Sequence, residues 1–165
     1  MHYYIDGYNL LFKLSHNWRL DLRTQRQALI QAFNETIEEL NLSLTVVFDG
    51  AEMPKGDYTR GHWKHVEVVY THEGLSADEY IIHQLEQQQH SERYTVVTAD
   101  RELLNKAKVC GACVMEIGQF IQLLVTRKQK KKQRTRVPRP AVDTKDHIQR
   151  LQKIFEERLQ QGEDL

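Results

Sequence analysis

Cysteine is nearly absent from this chain, with two in 165 residues, so no disulfide framework is available and a reducing, cytoplasmic setting is the expectation. No apolar run approaches the roughly 20 residues that span a bilayer, and no membrane is expected among the partners. The start of the chain has no basic segment leading into a long apolar stretch, so no signal peptide is expected. No glycine-rich phosphate loop with Gly-Lys-Ser/Thr is present, and no Gly-x-Gly-x-x-Gly follows the first apolar run. A haloacid-dehalogenase-type phosphatase needs a second Asp two positions after the first, and Tyr8 stands there. The histidines do not pair with cysteines at zinc-ligand spacing. Cys110-Gly-Ala-Cys113 follows an expected helix instead of opening one, which removes the helix dipole that would favour a reactive thiolate.

Net charge is also lacking, but its zero conceals an asymmetry. Residues 127–139 carry eight basic side chains and no acid, leaving 15 basic against 23 acidic residues elsewhere. An acidic body with a basic strap is either a solvated linker or a holder of a polyanion.

What is present alternates. Short apolar, β-branched runs at Tyr3–Ile5, Leu44–Phe48, Val66–Tyr70, Tyr94–Thr98 and Ala112–Ile117 read as strands. Between them lie helical patterns: Leu22, Leu29, Phe33, Ile37 and Leu40 form one stripe with Asp21 as N-cap, and Ala77, Ile81 and Leu85 form another. A helix follows Asp100 to about Val109, with Gly111 suited to end it, and a short one covers Gln119–Val125. Residues 51–65 read as a loop. A last amphipathic pattern, Ile148, Leu151, Phe155 and Leu159, follows Pro138 and Pro140. The expected units are a domain over 1–125, a basic linker over 126–142 and a C-terminal helix over 143–165. Strand–helix alternation predicts a parallel sheet covered on both faces, with ligands outside the carboxyl ends of its strands.

Three of those carboxyl ends carry an acid: Asp6, Asp49 and Asp100. A fourth, Asp78, opens a helix in Ser76-Ala-Asp-Glu79, where Ser76 and Glu79 form a capping box and Asp78 is left over. Single acids after strands are common turn-formers, and Asp78 also suits a helix start. Four at matching positions predict a cluster that repels itself until a hard divalent cation neutralises it, with water as the nucleophile on a phosphodiester. Gly7 lets the chain turn after Asp6, and Asn9 either orients the carboxylate or caps a helix. Thr98 either joins the cluster or is an ordinary strand residue. Lys55, Arg60, Trp63 and Lys64 give residues 55–65 the mix of cations and aromatics that holds single-stranded RNA, or else one anchored surface loop.

Asp6-Gly-Tyr-Asn9, Val-Val-Phe-Asp49, Ser-Ala-Asp78-Glu79 and Thr98-Ala-Asp100, in that order, resemble the NYN domain in the YacP-like branch of bacterial PIN-like ribonucleases. The resemblance spans about residues 1–125. It implies a three-layer α/β/α sandwich whose five parallel strands lie in the order 3-2-1-4-5, and cleavage of RNA with one or two Mg²⁺ or Mn²⁺ ions. Asp6, Asp49, Asp78 and Asp100 would be the metal-binding, catalytic positions, with Asn9 and Thr98 orienting them. It also implies ribosome-associated or messenger RNA as partner. Lys55, Arg60, Trp63, Lys64 and the strap residues Arg127, Lys128, Lys130, Lys131 and Lys132 are the expected RNA contacts, and a homodimer through the C-terminal helix is a further expected partner. The competing expectations are a catalytically inactive RNA- or ribosome-binding module on the same fold, and a phosphatase or DNA nuclease on the same carboxylates.

Overall fold

A strand covered on both faces must be apolar throughout, whereas a helix laid on a sheet needs only one apolar stripe. Both patterns are realised in the computed structural model, which describes residues 1–14, 21–50 and 60–134. Strands β1 (His2–Asp6), β2 (Ser43–Phe48), β3 (Arg60–Trp63), β4 (Val66–Tyr70), β5 (Tyr94–Thr98) and β6 (Cys113–Glu116) form one sheet in the order β3-β4-β2-β1-β5-β6. Five of them, β4-β2-β1-β5-β6, run parallel in the expected order with β1 in the middle.

The sixth strand corrects the expectation of a loop over 51–65. Residues 60–63 pair antiparallel with β4, Arg60 against Val69 and Trp63 against Val66, after a tight reversal in which Lys64 takes φ 55°. Its side chains are all exposed, so no apolar pattern marks it. The unpaired backbone edge of β4 supplies the hydrogen bonds whatever the side chains are.

Helices α1 (Gly7–Leu14), α2 (Leu22–Leu40) and α5 (Ile117–Arg134) cover one face, and α3 (Ala77–Glu86) and α4 (Arg101–Val109) cover the other. Ile5, Val46, Phe48 and Val97 pack with Leu10, Phe33 and Phe120 on the first side. Tyr4, Val47 and Val96 meet Ile81, Leu85 and Leu103 on the second. The period of two along a strand then places the site. Asp6 is two beyond Tyr4, Asp49 two beyond Val47 and Thr98 two beyond Val96, so all three fall on the side where α3 and α4 begin.

Helix α5 is longer than the Gln119–Val125 expected, and it runs unbroken through residue 126, where a linker was expected to open. Lys, Arg and Gln are good helix formers, so the basic run extends the helix instead of ending it. Its lysines also find a partner. Lys128 pairs with Glu39 at 3.1 Å and the Lys131 ammonium donates to the Glu39 carbonyl oxygen, both at the last turn of α2. The rest of the expected linker and the C-terminal helix lie outside the described residues.

Gly7 corrects a second expectation. It has no left-handed backbone and opens α1 directly; what requires glycine is space, because a Cβ there would sit 2.5 Å from two carbons of the Phe48 ring.

Candidate active site

Each acid after a strand also starts a helix. Asp6 Oδ1 accepts from the Asn9 amide at 3.1 Å, which is N-cap geometry for α1. Asp100 Oδ1 accepts from the amides of Glu102 at 2.6 Å and Leu103 at 3.3 Å at the start of α4. Asp49 Oδ1 reaches across to α3 and accepts from the Ala77 amide at 2.6 Å. The turn-former and functional readings of these acids are therefore compatible, because in each of them a single oxygen, Oδ1, accepts from the helix amides. The helix amides that could have bound an anion are taken by carboxylates, so the helix starts hold the acids and not a phosphate.

Asp6 is the most deeply held, at 6% exposure. Its Oδ2 accepts from the Asn9 side-chain amide at 2.5 Å and from the Thr98 hydroxyl at 3.3 Å. Burial raises its pKa against the lowering effect of those donors, and the charge of Asp49 raises it further. Thr98, fully buried, bridges two of the acids by donating to Asp6 and accepting from the Asp100 amide at 3.0 Å. Asn9 and Thr98 thus both hydrogen-bond the Asp6 carboxylate. Thr98→Val is expected to lower thermal stability by about 1 kcal/mol, the worth of the lost hydrogen bonds. It should also slow any reaction run by the cluster by about tenfold, as read from melting and single-turnover rates.

Asp78 has no hydrogen bond to its carboxylate among the described residues. Its pKa is pushed up to about 6 by burial first, then by the charges of Asp6, Asp100 and Asp49. Four acids from four separate segments therefore lie close enough to feel one another. The sign of the resulting pH dependence is fixed. A carboxyl whose folded pKa lies above its ordinary 3.8 favours the fold at low pH, and loses that contribution as pH rises through about 6. Without divalent metal, Asp78→Asn should melt above wild type at pH 7 and lose that advantage near pH 4, measured by thermal melts across pH.

The donor set is all carboxylate oxygen, which suits a hard divalent cation. It is not a closed cage: among the described residues no three His, Cys, Asp or Glu side chains are grouped to hold an ion directly. That donor set fits an ion such as Mg²⁺ that keeps much of its water and uses few carboxylates.

Among the described residues, the expected RNA contacts Trp63, Lys64, Arg127, Lys128, Lys130 and Lys131 lie away from this cluster. Lys55 lies outside the described residues. Arg60 is ion-paired with Glu67. Trp63 and Lys64 lie at the amino end of β4, roughly 13 Å of strand from the end where the acids gather. Arg127, Lys128, Lys130 and Lys131 lie at the far end of α5, beside the last turn of α2, and Lys132 lies in the same part of that helix.

A cation that sequence reading passed over does lie at the right end. Arg26 falls at the i+4 position of the buried stripe Leu22, Leu29, Phe33, Ile37, where a charge is out of pattern, and it is only 5% exposed. That misplaced charge was the available signal.

No curated protein shows significant similarity to the chain. Among solved structures, a point mutant of Rae1 (YacP) from Bacillus subtilis matches with a TM-score of 0.64 at 18% identity, over 95% of this chain and 99% of that one. Rae1 (YacP) from Bacillus subtilis matches with a TM-score of 0.58 at 25% identity, over 82% and 79%. The family model for the YacP-like NYN domain matches residues 3–163, well beyond the stretch that carries the motifs. This chain belongs to the YacP-like NYN domain family.

Proposed function

We propose that the protein is a metal-dependent endoribonuclease acting at the cluster of Asp6, Asp49, Asp78 and Asp100. The observation that carries this reading is the gathering of Asp6, Asp49, Asp78 and Asp100 at the ligand-binding end of a parallel sheet, where burial first, and then the charges of the other three, push the Asp78 pKa up to about 6. When bound, one or two Mg²⁺ or Mn²⁺ ions would neutralise the phosphoryl oxygens and acidify a water. The chain's own residues do the positioning. Asn9 and Thr98 fix Asp6, and the first turns of α3 and α4 fix Asp49 and Asp100. Membership of the NYN family supports an RNase-type activity, and the family resemblance points to ribosome-associated or messenger RNA.

Purified protein with Mn²⁺ should cut labelled messenger or ribosomal RNA, and EDTA should stop it. Water attack breaks one P–O bond, leaving a phosphate monoester on one fragment and a hydroxyl on the other, without use of the RNA 2′-hydroxyl. Products ending in a 2′,3′-cyclic phosphate, or cleavage indifferent to EDTA, would exclude this chemistry.

A second reading is a non-catalytic RNA- or ribosome-binding module. It is favoured by one observation: Asp6, Asp49 and Asp100 each already serve as helix anchors, which is reason enough for an acid at those positions. Salt-sensitive RNA binding without any Mn²⁺ binding would select it.

A further inference from the structure

Among the described residues, the buried guanidinium of Arg26 has no carboxylate partner. One nitrogen, Nη1, donates to the Tyr8 hydroxyl at 2.6 Å, and the group lies over the Tyr70 ring at 5.6 Å. No acid among the described residues pairs with it. Burying a cation without a counter-charge is costly, and one hydrogen bond with one aromatic face offsets part of that cost. The donors left over call for an anion.

Its position says which one. Tyr8 is two residues past Asp6, and its ring meets the Phe48 edge at 5.2 Å. Phe48 directly precedes Asp49 and stacks on Tyr70 at 5.6 Å. The guanidinium is therefore tied to the two strand ends that carry acids of the cluster, but on the α1–α2 side of the sheet. An acidic cluster on one side of the sheet edge and an uncompensated cation on the other form a pair suited to one polyanion crossing that edge. Arginine's planar fork, unlike an ammonium, can hold an aromatic face and two phosphate oxygens at once.

We propose that Arg26 binds a backbone phosphate of single-stranded RNA flanking the scissile one, on the α1–α2 side of the sheet edge. This rests on the nuclease reading above for its ligand, but binding can be tested without cleavage. The probe is a fluorescein-labelled oligoribonucleotide of mixed sequence and about 12 nucleotides, titrated in EDTA at several salt concentrations. Arg26→Met keeps the apolar stem and removes the charge. It should bind about tenfold more weakly, with the slope of log affinity against log salt reduced by about 0.7, the share of one phosphate contact. Its melting temperature should be no lower than wild type, because an unpaired buried cation has gone. A lower melting temperature with unchanged affinity and slope would make Arg26 a structural residue and overturn the proposal, as would a wild-type protein that does not bind the probe. Should Arg26→Met fail to fold, Arg26→Lys answers the same question: the charge and slope stay, and about threefold weaker binding is expected from the lost fork. Wild-type affinity in that variant would overturn the proposal. Wild-type protein that binds through Arg26 but cuts nothing with Mn²⁺ would sink the nuclease reading and leave this one standing.

Discussion

Asp6→Asn is expected to cut RNA in Mn²⁺ on the order of a thousandfold more slowly than wild type, the several kcal/mol that metal-assisted charge stabilisation supplies. Its melting temperature without metal should be no lower. The two halves of this result have separate physical causes. Asparagine is as good an N-cap as aspartate, so the Asn9 amide keeps its acceptor at the start of α1. The Asn9 side-chain amide, which now donates to Asp6 Oδ2, can rotate to present its oxygen to the new amide group. Burial and the charge of Asp49 both work against an ionised Asp6, so removing the charge relieves the fold. An amide, however, carries no charge with which to neutralise a cation, even where its oxygen coordinates one. A variant that loses activity only because it melts several degrees lower would show Asp6 to be structural.

Gly50→Ala should have the largest effect on stability. A Cβ at this position would lie 1.4 Å from the Thr71 carbonyl oxygen, a backbone atom that cannot turn aside. The close approach is part of how the site is built. The Gly50 amide donates to Thr71 Oγ1 at 3.0 Å, and the Thr71 amide donates to the Phe48 carbonyl oxygen at 3.0 Å. Together these clamp the chain on both sides of Asp49. Forcing the two backbones apart is expected to destabilise the protein by about 3 kcal/mol or more and to carry Asp49 out of place. Urea unfolding measures the first effect and the cleavage rate the second. Gly61→Ala, where a Cβ meets nothing within 4 Å, is the control that should change little. An unchanged unfolding midpoint for Gly50→Ala would contradict the clamp.

Much of this was legible because periodicity is a direct imprint of packing. The five parallel strands are apolar runs, and the stripes on α2 and α3 face the sheet as their spacing required. The acids at strand ends were visible for the same reason: the strand stops where the apolar run does. The helix-anchoring role of Asp49 was not visible, because its partner Ala77 is 28 residues away and belongs to a different crossover. Strand β3 left no mark, since an exposed edge strand is held by backbone bonds alone. The strap was visible as charge but not as place. Which end of the sheet receives it depends on how far α5 extends, and ion pairing to Glu39 helps settle that. Arg26 was hidden by the method of reading a stripe, which counts apolar residues and steps over the cation among them.

The most direct test is whether the four carboxylates bind a metal ion at all. Mn²⁺ titrated into the protein can be followed by the paramagnetic resonance signal of the free ion. Wild-type protein should deplete that signal, saturating at one or two ions, and Asp6→Asn and Asp78→Asn should deplete it far less while remaining folded. Wild-type protein that leaves the free Mn²⁺ signal untouched, or variants that deplete it equally, would contradict a metal site at this cluster.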